Sequence, residues 1–282
     1  MAQPIIDLLN NGTKANKSDQ YLHGNLISLP SQGSLVISGD LHGHRRNFEK
    51  INSYADLENN PERHLIFQEI IHGGPEDEEG GCISYKILFE AIRYKIQYPN
   101  RVHFIMGNHD TAFITDSEVM KDGKEMNRSL CGALRREFDE DSTAIELGMC
   151  EFLVSQPLAV KCCNKIWISH SLPNLQNVEK FDPSIMEEEL KPEDLVKDGS
   201  AYLLTWGRKF SKESIEKMSD YFNADIFILA HQPQPNGWAK PHDNLIIFTS
   251  DHNHGCLMEI DLSTSYTPQE LVKCITPLAA IA

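Results

Sequence analysis

Residues 34–44 read SLVISGDLHGH. An apolar run, SLVIS (34–38), passes directly into GDLHGH (39–44), which sets Asp40 and His42 one residue apart. A short Val/Ile-rich run bounded by turn residues reads as a buried strand. Asp and Gly are turn formers, so the hexapeptide by itself reads first as a solvated loop. Whether it is a loop or part of a chemical site depends on what the rest of the chain brings to it.

Five further apolar runs end in the same manner. HLIF (64–67) leads into QEIIHGGP, VHFIM (102–106) into GNHD, and KIWIS (165–169) into His170. DIFILA (225–230) leads into His231, and LIIFTS (245–250) into DHNHG. Amphipathic helix patterns lie between several of them. SYKILFEAIRYKIQYP (84–99) groups Ile87, Ala91 and Tyr94 on one face with Leu88, Ile92 and Ile96 beside it, and stops before Pro99. KESIEKMSDYF (212–222) spaces Ile215, Met218 and Tyr221/Phe222 likewise. Strands alternating with helices predict an α/β protein, a class in which ligands gather at the carboxyl ends of strands. Six polar clusters are therefore expected on one rim. Residues 1–33 read as an N-terminal extension, packed on the domain or flexible, and 34–282 as a single domain with a helical insertion at about 111–150.

The totals exclude several classes. A chain of 282 residues buries a sizeable core. No apolar run approaches the length needed to span a bilayer, and MAQPIIDLLNNGTKANKSDQ lacks the basic and apolar regions of a secretory signal. Seven cysteines, odd in number and without a CxxC, predict structural buried thiols in a reducing cytoplasm, with Cys162 and Cys163 as a strand pair facing opposite sides. With 26 basic and 41 acidic residues the net charge is −15, which opposes binding to nucleic acid or to an anionic membrane. An anionic substrate then requires metal ions or a few placed arginines.

The strand ends offer Asp40, His42, Glu69, His72, Asn108, His109, Asp110, His170, His231, Asp251, His252 and His254. Carboxylates, imidazoles and one amide, with no thiolate, suit Mn, Fe or Zn. Two divalent metal ions about 3.5–4 Å apart need a shared oxygen ligand and two terminal sets. The inventory is sufficient for that.

GDLHG, then GNHD, then a single His after a strand, then AHQ, in this order, resembles the calcineurin-like metallophosphoesterases, and more narrowly the serine/threonine phosphoprotein phosphatase family. LVSQPLAVKCCNKIWISH (153–170), IFILAHQPQPNGW (226–238) and FTSDHNHGC (248–256) are similar to later segments of that family, so the resemblance covers roughly residues 34–262. It implies a four-layer α/β/β/α sandwich, two divalent metals, and in-line attack of a metal-bound hydroxide on a phosphomonoester. The implied substrate is a phosphoserine or phosphothreonine protein, or a small phosphoester, with phosphotyrosine a further option. By resemblance Asp40 and His42 match first-metal ligands, and Asn108, His170 and His231 second-metal ligands, with Asn108 also a substrate contact. His109 matches the general acid, and Asp110 the carboxylate that orients and charges it, since a neighbouring anion raises an imidazole's pKa.

The second motif departs from the family's GD-YVDRG. LIFQEIIHGGP (65–75) puts Gln68 at the Gly, Glu69 at the metal-bridging Asp, His72 at the later Asp and Gly73 at the Arg. Glu69 reads as a bridging carboxylate extended by one methylene, or else as a loop acid beside an empty site. Gly73 supplies no guanidinium fork for phosphate. Arg208, in YLLTWGRKFS (202–211), is the expected clamp, with Arg45 and Arg46 as alternatives. HSLP (170–173) departs from the family's HGG, and His254 stands where the family has Tyr. Two rival functions follow from these departures: hydrolysis of a nucleotide or dinucleoside polyphosphate, and a metal- or phosphate-binding protein without turnover.

Overall fold

The computed structural model describes residues 3–281. Helix α1 (Gln3–Lys17) opens the chain, followed by the short strands β1 (Leu22–His23) and β2 (Leu26–Ser28). Next come β3 (Ser34–Asp40), α2 (Arg45–Ala55), β4 (Arg63–Gln68), α3 (Tyr85–Gln97) and β5 (Val102–Ile105). Helix α4 (Asn108–Ile114) precedes a hairpin, β6 (Met120–Lys121) and β7 (Lys124–Glu125), and then α5 (Met126–Phe138) and α6 (Ser142–Val154). Strands β8 (Ala159–Lys161) and β9 (Ile166–Ser169) lead to α7 (Ser200–Trp206) and α8 (Lys212–Phe222). The chain ends with β10 (Ile226–Leu229), β11 (Trp238–His242), β12 (Leu245–Phe248), β13 (Cys256–Asp261) and β14 (Ile275–Pro277).

The helices start and stop where local chemistry dictates. Helix α3 ends two residues before Pro99. Helix α8 begins where the Ser211 hydroxyl accepts from the Ser214 N–H, and ends on Asn223 in the left-handed conformation.

Two sheets form the centre. The smaller has the order β14-β13-β3-β4-β5, with β3, β4 and β5 parallel. The larger has the order β1-β2-β8-β9-β10-β12-β11, with β9, β10 and β12 parallel. Successive side chains of a strand face opposite sides, and the burial follows that period. Ile37, Ile66 and Ile105 of the smaller sheet meet Ile168, Ile228 and Ile246 of the larger in one core. Their alternates Val36, Leu65 and Phe104 pack outward on helical residues such as Leu9, Leu88 and Phe152. Trp167, Phe227 and Ile247 pack outward on the other side against Leu204, Ile215 and Met218 of α7 and α8. Helix, sheet, sheet, helix is the four-layer arrangement expected.

Helix α1 lies on α3 and α6, and β2 pairs with β8, which ties the N-terminal segment to both a helical layer and the larger sheet. All seven cysteines are free thiols. Burial of every thiol, as expected from the sequence, is corrected: Cys163 is exposed, and Cys131, Cys150 and Cys274 are partly so. Cys162 and Cys163 follow β8 in the turn towards β9 instead of lying within a strand. At the amino ends of β4 and β5, away from the strand ends that carry the motifs, a charged group is buried. Asp19 lies 2.7 Å from Lys95 Nζ and 2.9 Å from His103 Nδ1, and His103 Nε2 is 3.0 Å from His64 Nδ1. No described helix is long and apolar enough to cross a membrane.

Candidate active site

The carboxyl ends of β3, β4, β5, β9 and β10 deliver Asp40 and His42, Glu69 and His72, Asn108 and His109, His170, and His231 to one place. The backbone there is unusual. His42, Glu69, His72 and His231 have φ of 41°, 42°, 68° and 65°, in the left-handed region. That region is costly for a side chain such as glutamate, and strain of this kind concentrates at functional sites. Bonds from main-chain N–H groups hold the turns: the His42 N–H donates to Glu69 O (2.9 Å), the Gly43 N–H to Ile70 O (2.7 Å), and the His231 N–H to the side-chain Asp40 Oδ2 (2.9 Å).

Atoms that carry lone pairs converge. His170 Nε2 is 3.0 Å from Asn108 Oδ1 and 3.1 Å from His231 Nδ1, and those two atoms are 2.7 Å apart. Glu69 Oε1 lies 3.5 Å from His170 Nε2, while its Oε2 lies 3.3 Å from His42 Nε2. Two triads have ligand-type atoms within 4.8 Å of one another, His42/Glu69/His109 and Asp40/Glu69/His170, and Glu69 belongs to both. Asp40 Oδ1 is buried without a hydrogen-bond partner among the described residues. Oxygen and imidazole donors so crowded, with a buried carboxylate oxygen that makes no hydrogen bond and only a 3.3 Å contact to His170 Nδ1, fit divalent cations. His42 groups with Glu69 and His109, and Asp40 Oδ1 is 3.3 Å from His170 Nδ1.

Electrostatics point the same way. Burial, reinforced by Asp40, pushes Glu69 up to about 7. Burial and then Glu69 push Asp110 up to about 8. His170 rises to about 8 because Glu69 and Asp40 outweigh the opposing effect of burial. The other imidazoles move down: His72 to about 3 through burial, His42 and Lys121, and His109 well below its ordinary value through burial, His42, His72 and Lys121. Buried carboxyl groups with raised pKa mark a cluster short of positive charge.

Asp110 does not orient His109, which corrects the expectation from the sequence. Neighbours in a helix do not face each other. The Asp110 carboxylate instead accepts from the Gly107 N–H (2.9 Å) and caps α4. The group beside the His109 ring is His72, with Nδ1 3.1 Å from His109 Nδ1. His72 is fixed in turn by its N–H, which donates to Ser84 Oγ (2.9 Å). Glu69 Oε1 accepts from the His109 N–H at 2.6 Å, packed where Gly107 lacks a side chain.

Arg208 is exposed at the rim, its Nη1 3.3 Å from His231 O. Arg45 is bound by Glu90 at 2.8 Å and 3.0 Å and is turned to that partner. His254 is exposed. The sequence reading missed Lys121, on β6, whose Nζ is 3.1 Å from Asp251 Oδ2 and whose charge bears on His42, Glu69, His72 and His109. The Asp122-Gly123 pair after it is a hairpin signal that could have located it.

A family model described as calcineurin-like phosphoesterase matches residues 33–235. A protein serine/threonine phosphatase from Saccharomyces cerevisiae, with similarity to human phosphatase PP5, shares the fold at a TM-score of 0.67 and 13% identity. That likeness covers 93% of this chain and 83% of the yeast one. The cold-active protein-tyrosine phosphatase of a psychrophilic Shewanella species is similar at a TM-score of 0.59 and 13% identity, over 89% of this chain and 80% of that one. Matched by the family model through most of its length and layered as these phosphatases are, the chain belongs to the calcineurin-like phosphoesterases, metal-dependent hydrolases of phosphate esters.

Proposed function

We propose that this phosphoesterase removes phosphate from phosphoserine or phosphothreonine on proteins, using two divalent cations of the Mn, Fe or Zn type. The observation that carries the reading is Glu69, one carboxylate whose Oε2 faces His42 and whose Oε1 faces His170. Asn108, His170, His231 and Glu69 Oε1 would hold one cation, and Asp40, His42 and Glu69 Oε2 the other. Such cations, when bound, supply Lewis-acid charge at phosphoryl oxygens and acidify a water.

The chain's own groups do the remainder. Asn108 turns Oδ1 to His170 and His231, which leaves its amide N–H groups for a phosphoryl oxygen. His109 engages His72 through Nδ1, so Nε2 is the ring's free nitrogen. If His72 Nδ1–H is the donor of that bond, the His109 proton sits on Nε2, positioned for the departing oxygen. Burial, His42 and His72 disfavour the charged form of the His109 ring, and Asp110, turned to the Gly107 N–H, does not offset them. Arg208 offers a fork to phosphate from the His231 side.

Charge supports a monoester over a polyphosphate. Beyond the proposed metal ions, the side-chain cations that bear on the site imidazoles are Lys121 and Arg208, a small positive set for the several charges of a polyphosphate within a chain of net charge −15. The test is Mn²⁺-dependent hydrolysis by metal-stripped protein of phosphoserine, phosphothreonine and phosphotyrosine peptides and a dinucleoside tetraphosphate. Turnover of the first two, lost in Asp40→Ala and Glu69→Ala, is expected. Cleavage of the nucleotide alone would overturn the substrate class, and full metal occupancy with no hydrolysis would overturn turnover itself.

A further inference from the structure

Arg208 covers the His231 side of the site, and the opposite side has no fork. Gly73, where the family's arginine would align, has φ of 148°, and a Cβ there would lie 2.6 Å from the His42 carbonyl oxygen. No side chain can stand at that position without moving the His42 turn.

The β6–β7 hairpin approaches that same side. Asp122 and Gly123 have φ of 51° and 78°, both positive, as a two-residue hairpin turn of the right twist requires. The strands on either side of the turn carry Lys121 and Lys124, which are tied in opposite directions. Lys124 Nζ bonds Glu76 and the Gly80 carbonyl (2.7 Å), on the loop that follows Gly73. Lys121 Nζ bonds Asp251, which also accepts from the Thr249 hydroxyl at 2.6 Å. The residue before Asp251, Ser250, donates its N–H to the Asp40 carbonyl at 3.1 Å. The hairpin thus spans from the 76–80 loop to the segment that braces Asp40. It places the ammonium within the field of His42, His72 and His109.

We propose that Lys121 is a substrate-phosphate ligand, receiving a phosphoryl oxygen on the His42–His109 side opposite Arg208. An ammonium has three donors, and Asp251 takes one. The Lys121 side chain is 25% exposed, so a ligand can reach it. Asp251 acts as its mooring: the pair is partly open to water and weak enough for a phosphate dianion to share the ammonium. The assignment rests on the phosphoesterase reading of this site, and it makes the hairpin the element that grips phosphate where loop 68–74 offers no cation.

Calorimetric titration of inorganic phosphate into the Mn²⁺-loaded protein, beside kcat and KM for p-nitrophenyl phosphate, tests it. Lys121→Ala should weaken phosphate binding and raise KM by about 10- to 100-fold, the scale of a lost charge-assisted hydrogen bond, with kcat nearly unchanged. Lys121→Arg should restore most of the affinity, and Lys124→Ala should lose little. Phosphate binding of Lys121→Ala equal to wild type would overturn the inference, as would an equal loss in Lys124→Ala, which would assign the effect to the hairpin's shape. Wild type that hydrolyses no ester, yet loses phosphate binding on Lys121→Ala, would refute the phosphoesterase turnover while leaving Lys121 in place as a ligand. Normal hydrolysis with normal binding in Lys121→Ala would do the reverse.

Discussion

Gly107→Ala adds one methyl group at the point where the shared carboxylate is packed. The backbone does not object, because Gly107 has φ of −106° and ψ of 177°, an extended conformation open to any residue. Glu69 does object. A Cβ at 107 would stand 2.9 Å from Glu69 Cδ against the 3.4 Å at which ordinary contact begins, a shortfall of 0.5 Å, and nearer still to Oε1. The carboxylate has nowhere to retreat without loss, since Oε1 is held by the His109 N–H and faces His170 while Oε2 faces His42. A displacement of about 1 Å at such a group costs on the order of 10²-fold in rate. Overpacking should cost about 1–3 kcal/mol of stability, leaving the protein folded. We expect kcat for p-nitrophenyl phosphate to fall by about that factor, and the metal content after dialysis, read by elemental analysis, to fall below that of wild type. Adding Glu69→Asp to Gly107→Ala shortens the side chain by about 1.5 Å and should recover a substantial part of both losses. Unchanged kcat and metal content in Gly107→Ala would show that Gly107 does not confine Glu69. A double variant no better than the product of the single changes would say the same.

Other perturbations reach different parts of the molecule. Asp19→Asn leaves the Lys95 ammonium, 1% exposed, without its anion, so urea denaturation should show a loss of about 3–5 kcal/mol; a loss under 1 kcal/mol would mean Lys95 finds water or another partner. His64 is lowered to about 3 by burial and by His103, so below 6.5 the unfolded chain binds a proton that the folded chain refuses. Stability should therefore fall as pH drops from 6.5 towards 3, by up to about 1.4 kcal/mol per pH unit for this group, and His64→Gln should flatten the slope measured between pH 6 and 4. An unflattened slope would remove His64 from the acid response. Arg208→Ala should raise KM for a phosphopeptide by about 10-fold with little change in kcat, and Arg208→Lys should recover only part, because an ammonium lacks the planar fork. Equal KM values in wild type and Arg208→Ala would remove Arg208 from phosphate binding.

The layers were legible in the sequence because each strand is short, apolar and followed at once by a polar turn. Ile37 and Val36, or Ile168 and Trp167, need only period two to be sorted onto opposite faces. What remained hidden was side-chain adjacency between distant segments. Asp110 follows His109 in sequence, yet its carboxylate folds back to Gly107, while His72 comes from another strand to meet the ring. Asp19 and Lys95 are 76 residues apart, and nothing local marks either as half of a buried pair. Lys121 lay in a polar stretch read as helical, where Asp122-Gly123 in fact turns a hairpin and sets the lysine against Asp251.

Loop 68–74 explains why several departures from the family's motif occur together. Glu69, His72, Gly73 and Gly74 have φ of 42°, 68°, 148° and 69°, so the chain curls through the left-handed region at four positions. A longer carboxylate suits a backbone on a different path, because the extra methylene changes where its oxygens reach. The same path turns the Cβ direction of position 73 into the His42 carbonyl, and that expels any side chain there. Orientation of the His109 ring then falls to His72, braced by Ser84, and the positive charge must come from another element. On the roles proposed here, that element is the hairpin carrying Lys121. An arginine introduced at position 73 would have to displace the His42 turn before it reached a ligand, so the absence of a cation there is a property of the loop's path and not of one codon.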